Sequence, residues 1–216
     1  MDQVIIQVLE QKYKQDGLSK PSFGMTIACA HLAFLPLLNR VQDTQDAEEV
    51  RKIINQRWLF GFTSLDYREG SGCFCYEEDD RAAFIDLSTK ELEARLGRRE
   101  ENKAVFSDDG RLRLASFGTY KTGVLSLQDL AKSSYLTALA DGEEQAELTA
   151  EIASTFKFKP KLLAFESVES QETRIPFFYS GKSLGYRLEV FGCFRFIWRG
   201  FAFGISKTGE PIQQEK

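Results

Sequence analysis

One histidine stands in 216 residues, and a single imidazole excludes any metal site built from several histidines. Cysteine is nearly as scarce: Cys29, Cys73, Cys75 and Cys193 make one Cys-x-Cys pair and two distant singles. Structural zinc sites use cysteine pairs about two to four residues apart, twice over. No metal and no other cofactor is therefore expected, and the thiols read as small buried apolar groups in a reducing cytosol. Long hydrophobic runs are missing too. The most apolar stretch, Met25 to Leu38, carries no charge but falls short of the roughly 20 residues that span a bilayer, and Pro36 interrupts it. It reads as a buried core helix, and no membrane association is expected. The start Met1-Asp2-Gln3 lacks a basic segment ahead of its apolar residues, so it does not have the form of a secretory leader and a cytoplasmic location is expected. No Pro/Gly/Ser-rich linker divides the chain, which predicts a single domain over 1–216.

Familiar chemical motifs fail at their essential positions. Ser180-Gly181-Lys182-Ser183 contains the end of a phosphate loop, but Pro176 stands where the first glycine of that turn belongs. The acidic run Glu77 to Asp80 lacks the alternation of a calcium loop and reads as solvated. What remains is a folded composition, 43% hydrophobic and 28% charged, which excludes disorder as the main state.

Periodicity then supplies elements. Val4, Ile5, Val8, Leu9 and Tyr13 recur at helical spacing, while Val4-Ile5-Ile6 suits a strand equally well, and both readings stay open. Residues 47–57 form an amphipathic helix with Val50, Ile53 and Ile54 on one stripe. Trp58 to Thr63 reads as a strand, Ser64 to Asp80 as a loop around a short strand at Cys73 to Tyr76, and Ala82 to Leu87 as another strand. Ser88 and Glu91 have the spacing of a capping box for a helix from Thr89 to Leu96, with Gly97 as a left-handed terminator. Asp109-Gly110 between two alternating runs predicts a hairpin. Ser126 caps a helix toward Ala140, and Glu143 to Thr155 forms the next. From Phe156 the aromatic and β-branched content predicts a sheet, including paired strands at Tyr186 to Val190 and Cys193 to Arg199. The fold class expected is α+β, a helix-rich N-terminal two-thirds packed with an antiparallel sheet completed by the C-terminal third.

Charge follows the same division. Residues 1–154 carry 18 basic and 26 acidic side chains, a net of −8; residues 155–216 carry 10 and 6, a net of +4. In the basic part cations alternate with rings, as in Phe194-Arg195-Phe196 and Trp198-Arg199. Rings stack on bases and cations meet phosphates, each stacked base being worth about 1–3 kcal/mol. This points to an accessory protein that binds single-stranded nucleic acid, RNA favoured, through Phe194, Arg195, Trp198, Arg199 and Lys207. The same alternation also describes an aromatic core face backed by a solvated one. A protein partner is the second expectation, the chain acting as an adaptor or inhibitor through the same surface.

The segment Gly200-Phe201-Ala202-Phe203-Gly204-Ile205-Ser206-Lys207-Thr208-Gly209 leaves backbone N–H groups free to approach a phosphate. Over these ten or so residues it resembles the C-terminal glycine-rich loop of the RAMP-superfamily endoribonucleases that process CRISPR repeat RNA. That resemblance implies a tandem ferredoxin-like fold and metal-independent cleavage, with His31 as general acid/base and Lys207 stabilising the developing phosphate charge.

Overall fold

The structure is a computed structural model that describes residues 18–180, 187–193, 200–202 and 205–206. Among them are seven α-helices and two six-stranded sheets, the α+β class expected from the sequence. The expectation for residues 4–13 and the second strand of the proposed C-terminal pair lie outside the described residues.

The helices are α1 (Phe23–Phe34), α2 (Gln45–Gln56), α3 (Arg81–Phe84), α4 (Thr89–Glu93), α5 (Leu127–Ala131), α6 (Ser134–Ala140) and α7 (Glu143–Ser154). The first strands are β1 (Leu18–Ser19), β2 (Trp58–Phe60), β3 (Thr63–Arg68), β4 (Gly72–Glu77), β5 (Arg99–Glu101), β6 (Ala104–Phe106) and β7 (Leu112–Ser116). They are followed by β8 (Gly123–Val124), β9 (Phe158–Leu163), β10 (Glu172–Arg174), β11 (Phe177–Tyr179), β12 (Arg187–Phe191), β13 (Gly200–Ala202) and β14 (Ile205–Ser206). The first sheet has the order β10-β3-β4-β7-β6-β5 and is antiparallel throughout. The second has the order β13-β2-β11-β12-β9-β8 and is mixed, since β13 runs parallel to β2 and β12 parallel to β9. β1 and β14 form a separate pair.

One core cluster joins these parts. Leu65, Tyr67, Cys73 and Cys75 of the first sheet and Leu59, Phe178 and Val190 of the second all belong to it, together with Phe23 and Ile27 of α1. α6 runs through this cluster with all seven residues buried. A smaller cluster on the other face of the first sheet packs Phe74, Tyr76, Leu112 and Leu114 under Phe84 and Leu92.

Several elements differ from their sequence reading, each for a physical reason. Trp58 to Thr63 is not one strand. It breaks at Gly61, where any Cβ would collide with the backbone and ring of Phe23, and the chain crosses from the second sheet into the first. The expected loop from Ser64 onward is the central β3–β4 hairpin, turned at Gly70 with φ +69°. Ser64, Asp66 and Arg68 look like loop residues, yet Arg68 Nη2 donates to Asp66 Oδ2 at 2.6 Å and Ser64 donates to Glu78, so these polar groups are satisfied while buried. Ala82 to Leu87 begins inside helix α3, with the Phe84 ring 5.3 Å from that of Tyr76.

The Ser88–Glu91 capping box is present. Gly97 is needed for its close approach to Asp108 and not for a left-handed φ. A second cap at Ser133 divides the helix expected from Ser126 to Ala140 into α5 and α6. The Asp109-Gly110 hairpin joins β6 to β7 as expected, with Gly110 at φ +72°.

Candidate functional site

α1 starts where Ser22 accepts a hydrogen bond from Met25 N at 3.1 Å. It passes into a 3₁₀ turn at Leu35–Leu38, where Pro36 ends α-helical bonding, and Asn39 closes the turn in the left-handed region. The helix is pressed onto α6 at its first turn, since Gly24 abuts the Ala140 carbonyl. Seven residues on, His31 Nε2 lies 2.7 Å from Glu151 Oε2 of α7. The first contact fixes α1 against the end of α6 and the second fixes it beside α7.

His31 is therefore held in a polar clamp. Arg40, delivered by the 3₁₀ turn, donates to both oxygens of the same Glu151 carboxylate at 2.7 and 2.9 Å. That bidentate bond holds the Glu151 carboxyl below the usual carboxylate range, with His31 adding to the effect. A carboxylate with a depressed folded pKa contributes stability above its ordinary value and loses it as pH falls through the folded one. Glu151→Gln is expected to lower stability by about 1 kcal/mol at pH 7, the half-exposed pair being screened by solvent. Urea denaturation at descending pH should show that difference vanishing below the carboxylate range.

The expectation that the whole stretch from Met25 to Leu38 is buried needs correction. Phe23, Ile27, Ala30 and Phe34 face the core, but Met25 is 47% exposed and Leu32 63% exposed, with half-buried Ala28 and Cys29 between them. These positions follow i, i+3, i+4, i+7 and form one apolar stripe along the outside of α1. Depressions lie at both ends. Met25 borders a cleft of about 130 Å³ with Lys20, Ser22, Phe62, Glu77, Glu78 and Asp79. Past the helix C-terminus, the exposed Leu37 borders a groove of about 330 Å³ lined also by Phe34, Asn55, Thr155, Phe156 and Lys157. Beside the stripe, Glu144, Glu147 and Glu151 lie on the same side of α7, at spacings that put them in line.

The residues singled out from the sequence for nucleic acid, Phe194, Arg195, Trp198, Arg199 and Lys207, lie outside the described residues. The described rings of the second sheet are in contact with one another. Trp58 stacks on Phe177 at 5.3 Å, Phe177 on Phe191 at 4.5 Å, and Phe60 meets Phe177 edge-on. Phe156 packs on Phe34 with ring centroids 5.7 Å apart. Of the thiols, Cys73 is fully buried, and burial pushes it well above the ordinary thiol value, so it stays protonated.

No family model and no curated protein matches this chain. A solved structure described as the accommodation of massive sequence variation in Nanoarchaeota by the C-type lectin fold aligns with 88% of this chain and 86% of its own length. The TM-score is 0.50 and the identity 10%. The likeness is one of fold. It overturns the nucleic-acid reading, because a lectin-like architecture does not fit the open aromatic platform on which single strands stack, and the described rings pack on each other. The RAMP-like ribonuclease falls as well: two six-stranded sheets replace the tandem ferredoxin-like repeat, and His31 is clamped between α1 and α7. Among the described residues no helix is long and apolar enough to cross a membrane.

Sequence reasoning missed Met25, Leu32 and Leu37 as surface groups. A helix apolar on every side is a signal that something covers it, but the sequence does not say which side faces out.

Proposed function

We propose that the protein is a protein-binding module whose contact surface is the outer side of α1. The observation that carries this reading is the stripe from Met25 to Leu32, large apolar side chains about half exposed on a helix whose opposite side is anchored in the core. Contiguous exposed apolar surface of this kind marks interaction sites. The clefts at the two ends supply recesses for a partner's side chains. The matched structure's description, sequence variation accommodated by one fold, fits a scaffold whose surface serves binding. A cytoplasmic location fits the Cys73 and Cys75 sulfurs, 3.9 Å apart and unbridged.

The test is a peptide-display selection against the wild type, with each recovered peptide re-measured on Met25→Ser/Leu32→Ser. Both positions are exposed, so the double variant should keep its folding stability within about 0.5 kcal/mol per site. The expected result is a set of peptides whose binding depends on those two residues. Peptides that bind both proteins equally well would remove α1 as the contact surface.

A further inference from the structure

We infer that the partner seated on α1 is a basic amphipathic helix, one apolar ridge flanked by lysine or arginine. The inference rests on the reading of α1 as the contact surface and adds what kind of chain that surface accepts.

Charge complementarity carries it. On the α7 side the stripe is bordered by Glu144, Glu147 and Glu151. At its start it meets the cleft lined by Glu77, Glu78 and Asp79, in which Lys20 pairs with Asp79 at 3.5 Å and Arg113 with Glu77 at 2.8 Å. Across the helix layer, α2 opens with Asp46 and Glu48, and its exposed Glu49 follows. Carboxylates thus outnumber cations along the apolar stripe, and three of the cations beside it are engaged, Lys20 with Asp79, Arg40 with Glu151 and Arg51 with Asp43 at 2.6 Å, while Lys157 lines the far groove. Two copies of this chain meeting through α1 would bring carboxylates against carboxylates, which disfavours self-association, and an anionic membrane surface is repelled for the same reason. A helix with cationic flanks meets neither objection. Its apolar ridge lies along Met25 to Leu32, its cations reach the glutamates of α7, and the two end clefts take side chains from its two ends.

The experiment uses two fluorescein-labelled synthetic peptides of about 14 residues. One is a leucine–lysine helix with leucines at i, i+3, i+4 spacing, and its twin carries glutamate in place of every lysine. Anisotropy titrations with the full chain should show that the lysine peptide binds and the glutamate twin does not. Binding should weaken about tenfold or more in Met25→Ser/Leu32→Ser and severalfold in Glu144→Gln/Glu147→Gln. It should be unchanged in Glu100→Gln, an exposed carboxylate on β5 away from α1. Bound peptide should also protect Cys29, which lies within the stripe, from N-ethylmaleimide.

Equal binding to the serine double variant would overturn the inference, because general attraction between opposite charges would then explain the affinity. Equal binding of the glutamate twin, still lost in the serine variant, would overturn the basic partner and leave α1 as the contact surface. No binding by either peptide, with Cys29 unprotected, would remove both. A wild-type dimer that Leu32→Ser dissociates would replace the basic helix with a second copy.

Discussion

Replacing Arg113 with methionine is expected to cost about 1.5–3 kcal/mol of folding stability, the range for hydrogen bonds to charged groups, because the two carboxylates it leaves are partly exposed. Arg113 is 1% exposed on the core face of β7. It donates to Glu77 of β4 at 2.8 Å and pairs with Asp141, the residue that ends α6, at 2.8 Å. Glu77 also accepts from Thr63, whose hydroxyl accepts from Phe23 N at the start of α1. One guanidinium thus ties the first sheet to the end of α6 and, through two more residues, to the beginning of α1.

Burial already pushes the Glu77 carboxyl above its usual value, by more than Arg113 pulls it down. A carboxylate with a raised folded pKa opposes folding when ionised, and protonation relieves that cost as pH falls through the raised value. The destabilisation of Arg113→Met should accordingly shrink in urea titrations carried from neutral toward mildly acidic pH. Arg113→Met/Glu77→Gln should be less unstable than the single variant at pH 7.

Gly192→Ala is expected to cost about 2–3 kcal/mol, the upper range for overpacking a filled core. This residue follows β12 and sits where the second sheet meets the opposite end of α6. A Cβ there would fall on the Tyr135 hydroxyl, 2.9 Å from its Cζ and 3.0 Å from Leu65 Cδ1. Tyr135 cannot swing aside cheaply, because its hydroxyl is hydrogen-bonded to Tyr67 at 2.6 Å and Tyr67 donates to the Gly192 carbonyl at 2.9 Å. Burial holds both phenols well above their ordinary values, so they remain neutral donors throughout the accessible pH range. Thermal denaturation should show Gly192→Ala/Tyr135→Phe to be more stable than Gly192→Ala alone, since the second change removes the atom that is struck. Additive losses would indicate that the strain lies elsewhere.

α6 is thus fastened at its two ends by different chemistry, an ion cluster at Asp141 and a hydroxyl cluster at Tyr135. Neither cluster is legible as a motif. Arg113 and Glu77 are separated by 36 residues and Tyr67 and Gly192 by 125, and no local rule joins positions so distant.

Local rules did hold where the physics is local. The capping box at Ser88, the Asp-Gly hairpin and the amphipathic pattern of α2 need only neighbouring residues, and each is found where expected. They failed where a neighbour from elsewhere in the chain settles the matter. Gly61 interrupts a strand because α1 crosses it, and Ser64, Asp66 and Arg68 occupy a buried strand because Arg68 pairs with Asp66 and Ser64 donates to Glu78. On α2, Arg51 falls off the apolar stripe but is buried, because its guanidinium caps the Ala33 carbonyl of α1 and reaches Asp43.

By itself the sequence determined the fold class, the caps at Ser88 and Ser126, the turn at Gly110 and the excess of acid in residues 1–154, because composition and short-range spacing govern these. Tertiary structure alone decided which side of α1 faces outward, which carboxylate holds His31 and which rings of the second sheet are already stacked. Those depend on what packs alongside, and a helix that is apolar all round or an alternating aromatic strand reads the same from either side until its neighbours are in place.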